Sequence, residues 1–147
     1  PPPPPPTMVI DSIVVYGSGS STWSADFVYD PDQGIDYWAF LPTAAAGHSF
    51  TVFGHYENFP STPNEVVGYW HAKASDSSVQ PTSVALDGTT SGVWSVTFPA
   101  TYGVYSRDTL KNDIAWDNKV YVYLNDRFSP SIIDYSGPLV IGKVVLE

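Results

Sequence analysis

The chain of 147 residues is long enough for one domain with a substantial hydrophobic core, and its formal net charge is −9. It contains only 6 lysines and arginines, which argues against nucleic acid or an anionic membrane surface as a partner, because both attract clusters of basic side chains. No apolar run is long enough to cross a membrane, and the absence of cysteine excludes disulfides, thiolate metal sites and a cysteine nucleophile.

The first segment is a run of six prolines followed by Thr7. Such a run adopts an extended, semi-rigid polyproline II conformation and is typical of spacers between domains. We therefore predict a linker over residues 1–7 and a folded module over residues 8–147. Because the chain begins with proline rather than methionine, we interpret it as a fragment of a longer protein with covalently linked neighbouring domains.

The rest of the chain alternates between apolar and polar residues, and aromatic residues make up 15% of the sequence. This pattern, punctuated by glycine and proline, predicts an all-β fold. Nine short strands are predicted, at 8–16, 22–30, 36–41, 48–56, 65–73, 82–87, 93–98, 119–126 and 138–146. Only residues 106–113 resemble a helical turn. Strands of this length and spacing indicate an antiparallel β-sandwich of the jelly-roll or immunoglobulin-like kind.

The second predicted strand, residues 22–30, has the most regular alternation. It places Trp23, Ala25, Phe27 and Tyr29 on one face, with polar side chains on the other. We therefore expect these four residues to lie on the same side of one continuous strand.

An acidic loop follows this strand, with Asp30, Asp32 and Asp36 at alternate positions around Gly34. Calcium is bound by six to eight oxygens, mostly from carboxylates and carbonyls, so these three side chains are candidate calcium ligands. The same residues also favour an ordinary turn, since aspartate bonds to nearby backbone amides and glycine permits a positive φ. Both interpretations stay open on the sequence.

The strand at 119–126 carries the main candidate binding surface. Its alternation directs Val120, Val122 and Leu124 inward and leaves Tyr121 and Tyr123 on the opposite face. Lys119, Asn125 and Arg127 share that opposite face. Two tyrosines flanked by amide and cationic groups predict a flat amphipathic stripe if that face is exposed. If the face instead packs against a second sheet, the tyrosines belong to the core.

Other aromatic residues also stand beside polar groups. The strand at 65–73 places Val67, Tyr69, His71 and Lys73 on one face. Trp38 and Trp116 adjoin acidic loops, where an indole can be presented at the edge of the sandwich. Aromatic faces stack on the C–H faces of sugar rings, and nearby polar side chains then bind the hydroxyls.

These features together resemble the carbohydrate-binding modules of secreted polysaccharide-degrading enzymes: a polyproline linker, an acidic chain without cysteine, and a β-sandwich rich in tryptophan and tyrosine. The resemblance implies an extracellular or cell-surface protein that binds a polysaccharide or oligosaccharide without cleaving it. It also favours a structural calcium ion at the acidic loop. The expected ligand-binding residues are Tyr121 and Tyr123 as stacking platforms, Trp116 or Trp38 from loops, and Asn125, Arg127 and Asp117 as hydrogen-bonding groups.

Two other classes of function are consistent with parts of the sequence to different degrees. An immunoglobulin-like structural or adhesion spacer of a cell-surface protein would show the same strands and could also hold calcium. An enzyme is disfavoured, because no G-x-S-x-G nucleophile motif occurs and no carboxylate lies in an obviously apolar context. A zinc site would require His55, His71 and an acid such as Glu57 to converge, which their spacing does not favour.

Overall fold

The computed structural model describes residues 5–32, 35–59, 65–72, 80–85, 91–106, 117–125 and 139–147. They form ten strands and two short 3-10 turns. The strands are β1 (Thr7–Tyr16), β2 (Thr22–Asp26), β3 (Val28–Asp32), β4 (Ile35–Leu41), β5 (Ser49–Glu57), β6 (Glu65–His71), β7 (Gln80–Ala85), β8 (Gly92–Phe98), β9 (Lys119–Asn125) and β10 (Leu139–Leu146). The turns are η1 (Thr43–Ala45) and η2 (Ala100–Tyr102).

The strands form two sheets that pack face to face. One sheet has four strands in the order β2-β1-β5-β8, and the other has six in the order β3-β4-β10-β9-β6-β7. The strand pairs are antiparallel except that of β10 with β4, which is parallel. The predicted β-sandwich is therefore confirmed, with one parallel pair that alternation along the sequence does not reveal.

The core lies between the sheets and consists of the inward residues of each strand. These residues are apolar at alternate positions, as the two-residue period of a strand requires. Among those less than 2% exposed are Ile13, Val15, Phe50, Val52, Val96, Phe98, Val120, Val122, Leu124, Val144 and Leu146. Phe50 lies at the centre of an aromatic group, with ring centroids 4.6 Å from Trp70 and 5.1 Å from Phe98.

One predicted strand, at 22–30, is in fact two strands in different sheets. β2 pairs with β1, whereas β3 pairs with β4, and the break falls at Phe27. β1 has an irregularity between Ile10 and Ser12, and the carbonyl of Asp11 within it accepts a hydrogen bond of 2.8 Å from the Phe27 amide. The Phe27 side chain is buried in the core, so the chain changes sheet at this residue.

This break also makes the predicted face of strand 22–30 wrong. Trp23 and Ala25 pack against the core, but Tyr29 is 63% exposed. An alternating pattern continues through the break because Phe27 fills the space between the sheets. The pattern therefore cannot distinguish one strand of nine residues from two strands of five.

The linker and module boundary at residue 7 stays a prediction, and β1 begins at Thr7. The segment predicted as a helical turn lies largely outside the described residues, since 107–116 are not among them. Among the residues that are described, no helix has the length and hydropathy needed to span a membrane.

Candidate ligand-binding face

The outer face of the six-stranded sheet carries an aromatic cluster at the pairing of β6 with β9. Tyr121 lies directly opposite Tyr69, Tyr123 opposite Val67, and Lys119 opposite His71. All the inward neighbours on β9 are fully buried, as the alternation predicts, whereas Tyr121 and Tyr123 are only partly buried. The predicted register of β9 is therefore confirmed for these residues.

Four rings on this face stack in a continuous series that alternates between the two strands. The ring centroids of His71 and Tyr121 are 6.0 Å apart, those of Tyr121 and Tyr69 are 5.2 Å apart, and those of Tyr69 and Tyr123 are 6.2 Å apart. The interplanar angles along the series are 27°, 13° and 21°, so the rings are close to parallel. We call this group the tyrosine stack: His71, Tyr121, Tyr69 and Tyr123.

The rings of the tyrosine stack are nearly parallel and displaced sideways from one another, and they do not lie side by side in one plane. Carbon atoms in contact are about 3.5–4.0 Å apart, so parallel rings with larger centroid separations must be displaced sideways. Each ring therefore overlaps only part of the face of the neighbouring ring. The flat stripe predicted from β9 alone is replaced by an overlapping series to which β6 contributes half of the rings.

Two phenols of the stack, those of Tyr121 and Tyr123, have raised pKa values. Partial burial, a side-chain hydrogen bond with Tyr69 and the nearby charge of Glu65 raise the pKa of Tyr123 from 10.0 to about 12. Burial and the neighbouring Tyr69 also raise the pKa of Tyr121. These two phenols therefore stay uncharged to a higher pH than an ordinary tyrosine, and an uncharged donor and acceptor suits a neutral hydroxylated ligand.

Apolar residues of β10 border the stack on one side. Leu139, which is 50% exposed, lies opposite Tyr123, and the half-buried Ile141 lies opposite Tyr121. The exposed Leu139 extends the apolar surface beyond the rings. This exposed apolar border enlarges the surface on which a ligand could be bound.

Two lysines lie opposite each other at the His71 end of the stack. Lys143 of β10 pairs in register with Lys119 of β9, and both side chains are buried. The Lys143 ammonium group donates a hydrogen bond of 2.6 Å to the carbonyl of Asp117. Burial lowers the pKa of Lys119. Lys143 thus stabilises the sheet by linking β10 to the turn that precedes β9.

Trp38 does not contribute to a ligand site, and this prediction is wrong. The residue lies on the outer face of β4 but is only 1% exposed. Its indole N–H donates to the carbonyls of Asp30 and Ile35, and its ring packs with Ile35 and Val145 in a second, smaller hydrophobic cluster. An indole that is enclosed and hydrogen-bonded in this way cannot stack on a sugar.

Asp117 is also wrongly predicted as a surface ligand-binding residue. It is 1% exposed, and it precedes Asn118, which has a φ of 53°. The Asn118 side chain accepts a hydrogen bond of 2.7 Å from the Tyr105 amide and donates one of 3.3 Å to the Tyr105 carbonyl. This buried turn fixes the start of β9, and so it helps to position the tyrosine stack without facing the solvent.

The side chains of three other predicted ligand-binding residues lie outside the described part of the structure. The backbone of Asn125 pairs with Glu65 at the end of β9, but its side chain is not described. Trp116 and Arg127 lie outside the described residues. Their roles stay predictions.

The acidic loop connects β3 and β4 as a hairpin. Tyr29 pairs with Tyr37 and Asp32 with Ile35, so two residues of β3, Asp30 and Pro31, oppose one residue of β4. This irregularity allows the Asp30 carbonyl to bond the Trp38 indole at 2.6 Å. Among the described residues no group of three histidine, aspartate or glutamate side chains could hold a metal ion, but the Asp32 side chain is not described. Calcium binding by Asp30, Asp32 and Asp36 remains a prediction.

The sheet topology rules out a zinc site formed by His55, His71 and Glu57. His55 and Glu57 lie on β5 in the four-stranded sheet, whereas His71 lies on β6 in the other sheet. The His55 ring instead forms an ion pair of 2.8 Å with Asp11. His71 stacks on Tyr121, on the opposite outer face of the sandwich.

Tyr69 and His71 were not predicted as site residues, although the sequence contained a signal for them. Both belong to the mixed face of strand 65–73, at alternate positions with Val67. The missing information was that β6 pairs with β9, in a register that brings Tyr69 between Tyr121 and Tyr123. Such a pairing between distant strands cannot be inferred from local alternation.

Comparison with known proteins assigns no family to the chain: the sequence matches no protein-family model and no curated protein.

Proposed function

We propose that this protein is a non-catalytic, extracellular module that binds a polysaccharide on the outer face of its six-stranded sheet. The observation that supports the proposal is the tyrosine stack, whose near-parallel rings lie outside the sandwich and not between its sheets. A sheet of a sandwich needs apolar residues on its inner face only, so an ordered aromatic series on the outer face suggests a second role.

The chemistry of the stack suits a sugar ligand. Partly uncovered ring faces offer apolar area to the C–H faces of a sugar, at a small cost in conformational entropy because tyrosine has only two side-chain torsions. Phenols are neutral at physiological pH, so the hydroxyls of Tyr121 and Tyr123 can both donate to and accept from sugar hydroxyls, and their raised pKa values extend this neutral range to higher pH. A chain of net charge −9 can bind a neutral ligand without electrostatic repulsion.

Native affinity electrophoresis tests the proposal directly. The protein is run through gels that contain hydroxyethyl cellulose, xylan, glucomannan or soluble starch, each with and without EDTA. We expect at least one polymer to retard the protein. A loss of that retardation in EDTA would support the calcium site at Asp30, Asp32 and Asp36, whereas unchanged retardation would show that binding does not need calcium.

A matched pair of double variants locates the binding surface. Tyr121→Ala/Tyr123→Ala removes two partly exposed rings from the stack. Tyr16→Ala/Phe53→Ala removes two rings, 41% and 37% exposed, from the outer face of the other sheet. We expect only the first variant to lose retardation, with far-ultraviolet circular dichroism showing that both are folded.

Two results would contradict the proposal. Equal retardation of the two variants would place the binding surface elsewhere. Free migration of the unmodified protein through all four polymers would favour the alternative function, an immunoglobulin-like structural or adhesion spacer.

A further inference from the structure

We infer that the ligand is a linear polysaccharide bound along its length, with its axis parallel to β6 and β9 and several consecutive sugars over the tyrosine stack. This inference rests on the proposed function and deepens it. It concerns how the ligand lies on the face and which part of the polymer is recognised.

The direction of the stack provides the first argument. The series His71, Tyr121, Tyr69, Tyr123 advances along the strands in two diagonal steps, His71 to Tyr121 and Tyr69 to Tyr123. The step between them, from Tyr121 to Tyr69, goes directly across the pair. The rings span five residues of β9, or four residue-to-residue steps, from Lys119 opposite His71 to Tyr123. At a rise of about 3.3–3.4 Å per residue this distance is roughly 13 Å between backbone positions.

The width of the stack provides the second argument. Across the sheet the rings occupy only β6 and β9, which are about 4.8 Å apart as neighbouring strands. On the β10 side the residues in register are aliphatic, with Leu139 opposite Tyr123 and Ile141 opposite Tyr121. The aromatic surface is therefore a strip, longer along the strands than across them.

The size of a sugar then determines how much ligand the strip can engage. A pyranose is a six-membered ring, so one sugar covers about the area of one phenol ring. A terminal sugar would use only one ring of the four, whereas a chain laid along the strands can contact each ring in turn. All four residues of the stack are partly exposed, so successive sugars can each make an apolar contact.

The two ends of the strip differ in their polar groups. His71 and Lys119 lie opposite each other at one end, and Glu65 lies opposite Asn125 just beyond Tyr123 at the other. One end thus presents an imidazole, and the other a carboxylate. A polysaccharide chain also has two different directions, so this asymmetry allows one of them to be favoured.

Binding of size-fractionated fragments tests the inference. The polymer among the four gels that retards the protein is partially hydrolysed, and its fragments of two to eight sugars are titrated by isothermal calorimetry. We expect the affinity to rise by about threefold to tenfold for each sugar added up to about the fourth, and then to level off. A disaccharide that binds as tightly as a hexasaccharide would overturn the inference but leave the proposed function intact.

Variants at the two ends of the strip distinguish a ligand role from a structural one. His71→Ala and Tyr123→Ala each remove one end ring, and Tyr16→Ala on the other sheet is the control. For each end variant we expect the affinity to stop rising at a shorter fragment than for the unmodified protein. The affinity of each variant for the disaccharide should stay within about twofold of that of the unmodified protein. A uniform loss at every fragment length would contradict the inference, because it would show that the rings act through the fold. If no polymer retards the unmodified protein, the proposed function fails and this inference fails with it.

Discussion

The two outer faces of the sandwich differ in how their aromatic and polar side chains are arranged. On the four-stranded sheet many outward positions carry small hydroxyl residues, such as Ser24, Thr51 and Thr97, and the exposed Tyr16, Phe53 and Val93 lie among them. A hydrogen-bonded series crosses this face, in which the Tyr16 hydroxyl contacts Thr51 at 3.1 Å and Thr51 contacts Thr97 at 2.8 Å. On the six-stranded sheet the outward positions carry the tyrosine stack, aliphatic residues, Trp38 and two buried lysines.

This difference separates the outward side chains that stabilise the fold from those that the fold does not require. The face of hydroxyl residues is the expected solvent side of a sandwich, since polar side chains there leave the core unaffected. The other face uses part of its apolar area in the small cluster of Ile35, Trp38 and Val145. The tyrosine stack is partly exposed, and this ordered series of rings is the area that we assign to a ligand.

The largest expected difference between the two faces is in stability. Trp38→Ala should lower the free energy of unfolding by about 3–5 kcal/mol, because it removes a ring that is 1% exposed and leaves a cavity. Phe53→Ala, at an outward position that is 37% exposed, should cost about 1 kcal/mol. Urea denaturation followed by circular dichroism measures both values.

A second tryptophan variant keeps this prediction decisive if Trp38→Ala does not fold. Trp38→Phe retains most of the packing but loses the donor to the carbonyls of Asp30 and Ile35, and we expect a loss of about 1–3 kcal/mol. Equal effects of Trp38 and Phe53 truncation would show that the outer cluster contributes no more stability than the exposed face.

A smaller effect is expected at alkaline pH on the face with the tyrosine stack. The pKa of Tyr123 is about 12 in the folded protein and starts from a value of 10.0, so the unfolded chain loses this proton first as the pH rises. The associated stability is fully present below about pH 10 and is lost progressively toward about pH 12. Tyr123→Phe should remove this part of the slope, measured by urea unfolding between about pH 9 and about pH 12.

Lys119 contributes to the pH dependence with the opposite sign. Burial lowers its pKa from 10.5, so the charged form costs stability that is recovered as the pH rises through the folded pKa. Each variant is therefore compared with the unmodified protein, so that the Lys119 contribution cancels. Tyr16→Phe, on the other face, gives the effect of losing a hydroxyl from an exposed phenol. Identical slopes for Tyr123→Phe and the unmodified protein would contradict the assignment.

The smallest effect is expected from the ion pair on the other face. His55 and Asp11 are 2.8 Å apart, and both side chains are substantially exposed. A double-mutant cycle with His55→Ala and Asp11→Ala should give a coupling energy of about 0.2–1 kcal/mol, which decreases as salt is added. A coupling of several kcal/mol, insensitive to salt, would show that this face is more than a solvated surface.

The sequence predicts the local features of this molecule better than its long-range ones. The inward set Val120, Val122 and Leu124 follows from alternation alone, because the two-residue period of a strand determines which side each residue faces. The burial of Trp38 does not follow, since it depends on the proximity of Val145 in a strand about a hundred residues later. Phe27 shows the same limit, because a change of sheet leaves the apolar spacing of strand 22–30 undisturbed.

The position of β10 has a consequence for synthesis on the ribosome. β10 lies between β4 and β9 and is the last of the described strands, whereas β1, β2, β5 and β8 are complete at Phe98. The four-stranded sheet can therefore form while the nascent chain is still short. The β3–β4 hairpin must wait, with one edge unpaired, until residues 139–146 leave the exit tunnel and join it to the rest of its sheet. Translation thus imposes an order in which the hydroxyl-lined face comes first and the face with the tyrosine stack comes last.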